Sequence, residues 1–141
     1  MMRVAFGSDE RTALTDAVVI ELETRGHDVT VVGPPAGDDL QWVEVGRQVG
    51  ELVASASVET AVLFCWTGTG ASIAANKVRG VRAALCTDAA TAAGARKWND
   101  ANVLVMGLRL TSPDVAREML EAWFTTDPDP DEVATITTLE G

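Results

Sequence analysis

TAVLFCWTGTGASIAANK, Thr60–Lys77, is the stretch on which the reading of this 141-residue chain turns. Ala61 to Phe64 is too short an apolar run for a helix and apolar enough for a buried strand. Ala71 to Lys77 is small and helix-forming. Between them stand Cys65, Trp66, Thr67 and a Gly68-Thr69-Gly70 turn. A strand that ends on a cysteine and feeds a glycine turn into a helix start gathers backbone N–H groups. They converge beside a potential nucleophile or base.

The same alternation extends on both sides. Arg3–Gly7 reads as a first strand, with Ser8, Asp9 and Glu10 at its C-terminal end. Arg11–Arg25 carries Leu14, Ala17, Val18 and Leu22 at helical spacing and is stopped by Gly26. Asp28–Val32 is a β-branched strand closed by Gly33-Pro34-Pro35. Trp42–Ser55 follows as a helix with Trp42, Val45, Val49 and Leu52 on one face. After the central stretch come a strand at Val81–Cys86, a helix at Asp88–Trp98 and a strand at Val103–Met106. A last helix is capped by Ser112, with Pro113 at its first position, and ends near Thr125.

Five nearly all-apolar strands separated by helices predict an α/β, three-layer αβα sandwich around a five-stranded parallel sheet, flavodoxin- or Rossmann-like. Residues 1–126 form one domain, and the Pro-broken segment 127–141 is an acidic tail, either mobile or laid over a partner. Ligands of an open parallel sheet bind beyond the strands' C-terminal ends. That rule collects Ser8, Asp9 and Glu10, then Cys65 to Gly70, then Thr87 and Asp88, then Gly107 to Arg109. His27 precedes the second strand and is expected at the opposite end, as a surface residue outside the chemistry.

Composition limits the partners. A net charge of −10 argues against nucleic acid and anionic membrane surfaces. No apolar run reaches the ~18 residues of a membrane span. The start MMRVAFGSDE is acidic too early for a signal peptide. Two cysteines without such a signal fit free thiols in the cytoplasm. No metal site and no cofactor are expected. The Gly68-x-Gly70 turn lacks the third glycine of a dinucleotide fingerprint, since Ile73 stands there, and it follows the third strand instead of the first. Residue types and spacing thus end at an α/β domain with a cysteine-centred pocket. Cys86 is expected in the core. Asp9 could serve as a helix cap as well as a catalyst, and Trp98 and Arg109 could be structural.

Three segments carry a resemblance: Gly7–Asp9 (GSD), Thr67–Asp88 (TGTGASIAANKVRGVRAALCTD) and Asn99–Arg109 (NDANVLVMGLR). Over Met2 to about Phe124 the chain resembles the type B ribose-5-phosphate isomerases and the related galactose-6-phosphate isomerase subunits. The resemblance implies strand order 2-1-3-4-5 and a homodimer, in some members paired into tetramers, with sites shared between subunits. It implies aldose–ketose isomerisation of a small sugar or sugar phosphate through a cis-enediolate, without a cofactor. Cys65 would be the base, Thr67 and Asp9 the proton shuttles, and the backbone N–H groups of Gly68, Gly70, Ala71 and Ser72 the oxyanion hole. Ser8, Glu10, Trp66, Trp98, Asn99 and Arg109 would bind substrate, Asn99 reaching in from the neighbouring subunit.

The departures concern the substrate. Glu10 and Trp98 stand where the family has histidines, the second of which opens the sugar ring. The family's C-terminal segment supplies two phosphate-gripping arginines, yet nothing after Arg117 is Arg or Lys. Losing two charge-assisted contacts removes ~3–6 kcal/mol of binding. Trp66 and Leu108 replace glycines. The expectation is an isomerase for a sugar that is unphosphorylated or whose phosphate is held differently. A degenerate subunit of a heteromeric isomerase and a nucleotide-binding flavodoxin-like module are the alternatives.

Overall fold

Apolar runs with no polar face need cover on both sides, and the chain provides it. A computed structural model describes residues 1–140. Its strands are β1 (Arg3–Ser8), β2 (Asp28–Val32), β3 (Thr60–Cys65), β4 (Ala83–Leu85) and β5 (Val103–Gly107), all parallel in one sheet. Their order is β2-β1-β3-β5-β4. This corrects the expected 2-1-3-4-5: β5, not β4, lies beside β3. The reason is burial. Every residue of β5 is buried and needs neighbours on both edges. β4 has three residues, partly exposed, and suits an edge. The side-chain amide of Asn76 closes that edge, accepting from Ala83 N at 2.8 Å and donating to Ala83 O at 3.0 Å. This removes a template for unwanted strand pairing.

Right-handed crossovers then assign the helices to faces. α2 (Trp42–Ala54) and α3 (Thr69–Asn76) cover one side. Their Val45, Val49, Val53, Ala71 and Ala75 pack with Ala5, Leu63, Cys65 and Val105. α1 (Ala13–Thr24), α4 (Ala89–Asn99) and α5 (Pro113–Thr125) cover the other. There Val18, Leu22, Ala92, Met119 and Leu120 pack with Phe6, Val62, Phe64 and Met106. Neighbouring strand residues therefore alternate between two cores, as the pleat requires.

The helix ends follow local chemistry. Ser112 Oγ accepts from Val115 N, with Pro113 at the first helical position, as its sequence predicts. α1 starts later than expected, because Thr12 and Thr15 form a reciprocal capping box. Gly26, at φ +88°, ends it. The segment expected as an acidic tail, 127–141, carries regular structure within 127–140, and residue 141 lies outside the described residues. Asp129 accepts from Asp131 N and starts a 3-10 turn, which leads into α6 (Val133–Glu140). Asp129 N donates to Lys97 O at 2.8 Å, and Glu140 pairs with Arg82, so the segment is tied to its own chain. His27 lies at the N-terminal end of the sheet, as expected. It is half-buried, stacked on Phe124 with ring centroids 4.3 Å apart, and accepts from Met2 N. Among the described residues no helix is long and apolar enough to cross a membrane.

Candidate active site

β3 delivers Cys65 to the sheet's C-terminal edge beside Gly107 of β5. β5 continues alongside, with Leu108 N donating to Cys65 O at 3.0 Å and Arg109 N to Trp66 O at 2.9 Å. Gly107 must be bare, since a Cβ there would stand 2.8 Å from Thr67 O. Gly68 then reverses the chain at φ +80°, a conformation natural to glycine. A side chain at Gly68 would strike Leu85 Cδ1 at 2.5 Å and the Met106 carbonyl carbon at 3.1 Å. This tight turn brings Ala71 N within 3.5 Å of the buried Cys65 Sγ, to which it donates. The Thr67 and Thr69 hydroxyls pair at 2.8 Å.

Of the expected oxyanion donors, Ser72 is corrected. Its N–H donates to Gly68 O at 3.1 Å and closes the first turn of α3. The N–H groups of Gly68, Thr69 and Gly70 have no acceptor among the described residues, as befits the first positions of a helix. The thiol and these donors share one rim. A developing oxyanion placed there would meet preorganised dipoles, each typically worth ~2.7–4 kcal/mol of transition-state stabilisation.

β1 supplies the carboxylate. Ser8 pairs with Phe64, so Asp9 leaves the sheet beside Cys65. The Ser8 hydroxyl donates to Glu10 O at 2.6 Å and accepts from Glu10 N at 3.2 Å, which fixes the bend around Asp9. Asp9 is not the cap of α1; Thr12 is. Its Oδ1 is buried and has no hydrogen-bond partner among the described residues. Burial chiefly, and the neighbouring Glu10 charge, raise the Asp9 carboxyl above its ordinary value, against a backbone hydrogen bond that lowers it.

An unpartnered buried oxygen costs stability and is characteristic of functional sites. A raised folded pKa means that the native state holds the Asp9 proton more tightly than the unfolded chain does. Stability from this group is therefore present below the unfolded pKa of about 3.9 and lost as pH rises through the folded value. Asp9→Asn is expected to be at least as stable as the native chain at pH 7, with the advantage fading toward pH 3. Urea titrations across that range check it, and a clear loss of stability at pH 7 would assign Asp9 a structural role.

The other expected residues divide. Glu10 and Arg109 sit exposed on the same rim, and Arg109 makes no ion pair among the described residues. Trp66 is 54% exposed there. Asp88 is occupied as the cap of α4, accepting from Thr91 N. Trp98 and Asn99 do not join Cys65 within the chain. They end α4, which runs back along the sheet, and line a hollow on the β4 edge with Ala84, Leu85 and Cys86. Trp98 lies over Gly94, and Lys97 Nζ stands 5.7 Å from its ring.

Cys86 is core, its thiol pushed up to about 11 by burial and the Asp88 charge. No group of three or more His, Cys, Asp or Glu among the described residues could hold a metal ion. Reading the sequence missed Trp42, whose indole lies against Gly70. Its helical spacing placed it on the packed face of α2 but could not aim it at the turn.

The family model described as Ribose/Galactose Isomerase matches residues 4–137. Ribose-5-phosphate isomerase B of Escherichia coli is 36% identical over 125 residues, covering 88% of this chain and 84% of that protein. A 4-deoxy-4-sulfo-D-erythrose isomerase from a Clostridium species is 34% identical over 127 residues, covering 89% and 80%. Among solved structures, ribose-5-phosphate isomerase B of Clostridium thermocellum superposes with a TM-score of 0.91 at 31% identity, covering 99% of this chain and 95% of that one.

Proposed function

This chain belongs to the ribose/galactose isomerase family, and from that premise we propose that it moves a proton between C2 and C1 of a small sugar, interconverting aldose and ketose. The observation that carries the reading is the Cys65 thiol held by Ala71 N–H beside the unpaired Gly68–Gly70 N–H groups. In this reading Cys65, as thiolate, takes the proton from C2 of the aldose. The carbonyl oxygen at C1 becomes the enediolate oxyanion and is met by the turn's N–H groups. Cys65 then returns the proton to C1. The proton on the C2 hydroxyl passes through Asp9 or Thr67 to O1, which leaves a carbonyl at C2. The unpartnered Asp9 oxygen can accept a hydrogen bond, and then the proton, from a substrate hydroxyl. No step requires a metal or organic cofactor.

The substrate is a sugar or sugar phosphate whose far end is not gripped by the usual arginine pair. Arg109 is the rim's own cation, while α6 brings no Arg or Lys. A family relative named for a four-carbon sulfosugar supports a substrate end other than phosphate. The enzyme works as a dimer with shared sites, in which Trp98 and Asn99 of a second copy complete the pocket. The exposure of Trp98 (55%) and Leu85 (37%) on the β4 edge supports this. Its two free thiols fit a reducing cytoplasm. The test is incubation in D₂O with D-erythrose, D-ribose and their phosphates, following deuterium at C1 and C2 by NMR. Incorporation with at least one of them is expected. No incorporation with any aldose or ketose of four to six carbons overturns the reading.

A further inference from the structure

Trp42, Gly46 and Gly50 are spaced four residues apart and form one stripe on α2. That stripe faces α3 and the turn preceding it. A Cβ at Gly46 would lie 2.7 Å from Ala74 Cβ and 3.1 Å from Ala71 O, and one at Gly50 would lie 2.9 Å from Val78 Cγ2. The two glycines therefore let the helices approach closely. At the upper end the relation reverses. The glycine is Gly70, in the first turn of α3, and a Cβ there would stand 2.9 Å from Cε3 and 3.1 Å from Cδ2 and Cζ3 of Trp42. The indole fills the notch that Gly70 leaves.

The turn needs such a contact. Gly68 and Gly70 lack the side chains that would narrow their backbone freedom. Gly68 offers α3 no side-chain cap, and α3 is only eight residues long. Trp42 is not there merely for burial, since 40% of it remains exposed. It is a rigid plane with few rotatable bonds, anchored on a longer helix whose Val45 and Val49 are fully buried.

We infer that Trp42 is a positioning residue of the isomerase: its indole, pressed on Gly70, fixes the turn so that the Gly68–Ala71 N–H groups stay aimed at the Cys65 pocket. The inference rests on the enediolate reading above. It acts through the turn and needs no contact between Trp42 and the sugar. A displacement of about 1 Å at a catalytic group can cost ~100-fold in rate.

Two measurements test it. Backbone amide hydrogen exchange, which needs no substrate, is expected to be about 10-fold faster in Trp42→Ala at Ala71 and Ser72, whose N–H groups are bonded to Cys65 Sγ and Gly68 O, with β5 amides unchanged. Deuterium incorporation into the responding sugar of the panel is expected to fall ~100-fold in the saturating rate, with KM little changed. Trp42→Phe should restore most of it, because a phenyl ring still covers Gly70. Gly70→Ala should also be slow, and Trp42→Ala/Gly70→Ala should lose far less than the product of the two single losses, because the new methyl enters the vacated space.

Multiplicative losses in the double variant, an effect confined to KM, or unchanged amide exchange at the turn would each overturn the inference. If Trp42→Ala fails to fold, Trp42→Phe and Trp42→Leu carry the same cycle with Gly70→Ala. Should the native protein incorporate no deuterium into any sugar of the panel, the enediolate reading fails; should Cys65→Ala keep its exchange activity, the assignment of Cys65 as the base fails. Should Cys65→Ala be inactive while Trp42→Ala is not, the positioning role alone fails.

Discussion

Cys65→Ala should lower deuterium incorporation at C1 and C2 by about 10²–10⁴-fold, the usual contribution of a positioned general base. The fold should survive. Removing Sγ from this buried site leaves a small void and frees Ala71 N–H, a combined loss of about 1–2 kcal/mol in a domain of ordinary stability. Cys65→Ser is expected to be comparably slow, since a hydroxyl of similar size is a far weaker acid and is seldom ionised. Circular dichroism and a urea midpoint separate lost chemistry from lost structure. Exchange that persists in folded Cys65→Ala would move the base elsewhere, with Asp9 as the remaining ionisable group buried beside it.

Gly33→Ala should be the most damaging single methyl in the chain. Gly33 sits at φ +95°, ψ −160°, a region open essentially to glycine alone. A Cβ there would stand 2.3 Å from Ser8 O, which is backbone and cannot swing away. β1 can yield only by moving Ser8, and with it the hydroxyl that shapes the Asp9 bend. Strain and collision together should cost about 3 kcal/mol or more, lowering Tm by roughly 10 °C. Catalysis should fall as well, because Asp9 moves with Ser8. Gly37→Ala is the matched control. It shares a positive φ of +90° but has nothing within 4 Å, so about 1 kcal/mol is expected. Equal melting shifts for the two variants would show that contact with β1 adds nothing to the cost at Gly33.

Legibility followed the range of the interactions. Ser112-Pro113 announced the start of α5 because capping is settled within a few residues. The strands were visible because runs such as Ala61–Phe64 need burial on both faces. Asp9 was more ambiguous. Sequence allowed it a capping role, and the pairing of Thr12 with Thr15 removes that role and leaves Asp9 Oδ1 for other use. Ser72 looked like a donor until the first helical bond took up its N–H. Gly33-Pro34-Pro35 read as the end of a strand, with no sign that Ser8 O presses against Gly33.

The amino-acid sequence by itself determined an alternating α/β chain, the cysteine and glycine turn at its centre, and the family to which it belongs. Those rest on local patterns: apolar period, turn glycines and the Thr67–Asp88 block. Only the tertiary structure decided that β5 lies between β3 and β4, that Trp42 bears on Gly70, and that Trp98 and Asn99 stand apart from Cys65 in their own chain. These depend on which surfaces meet after the chain has crossed the sheet several times, and no short window of residues contains that information.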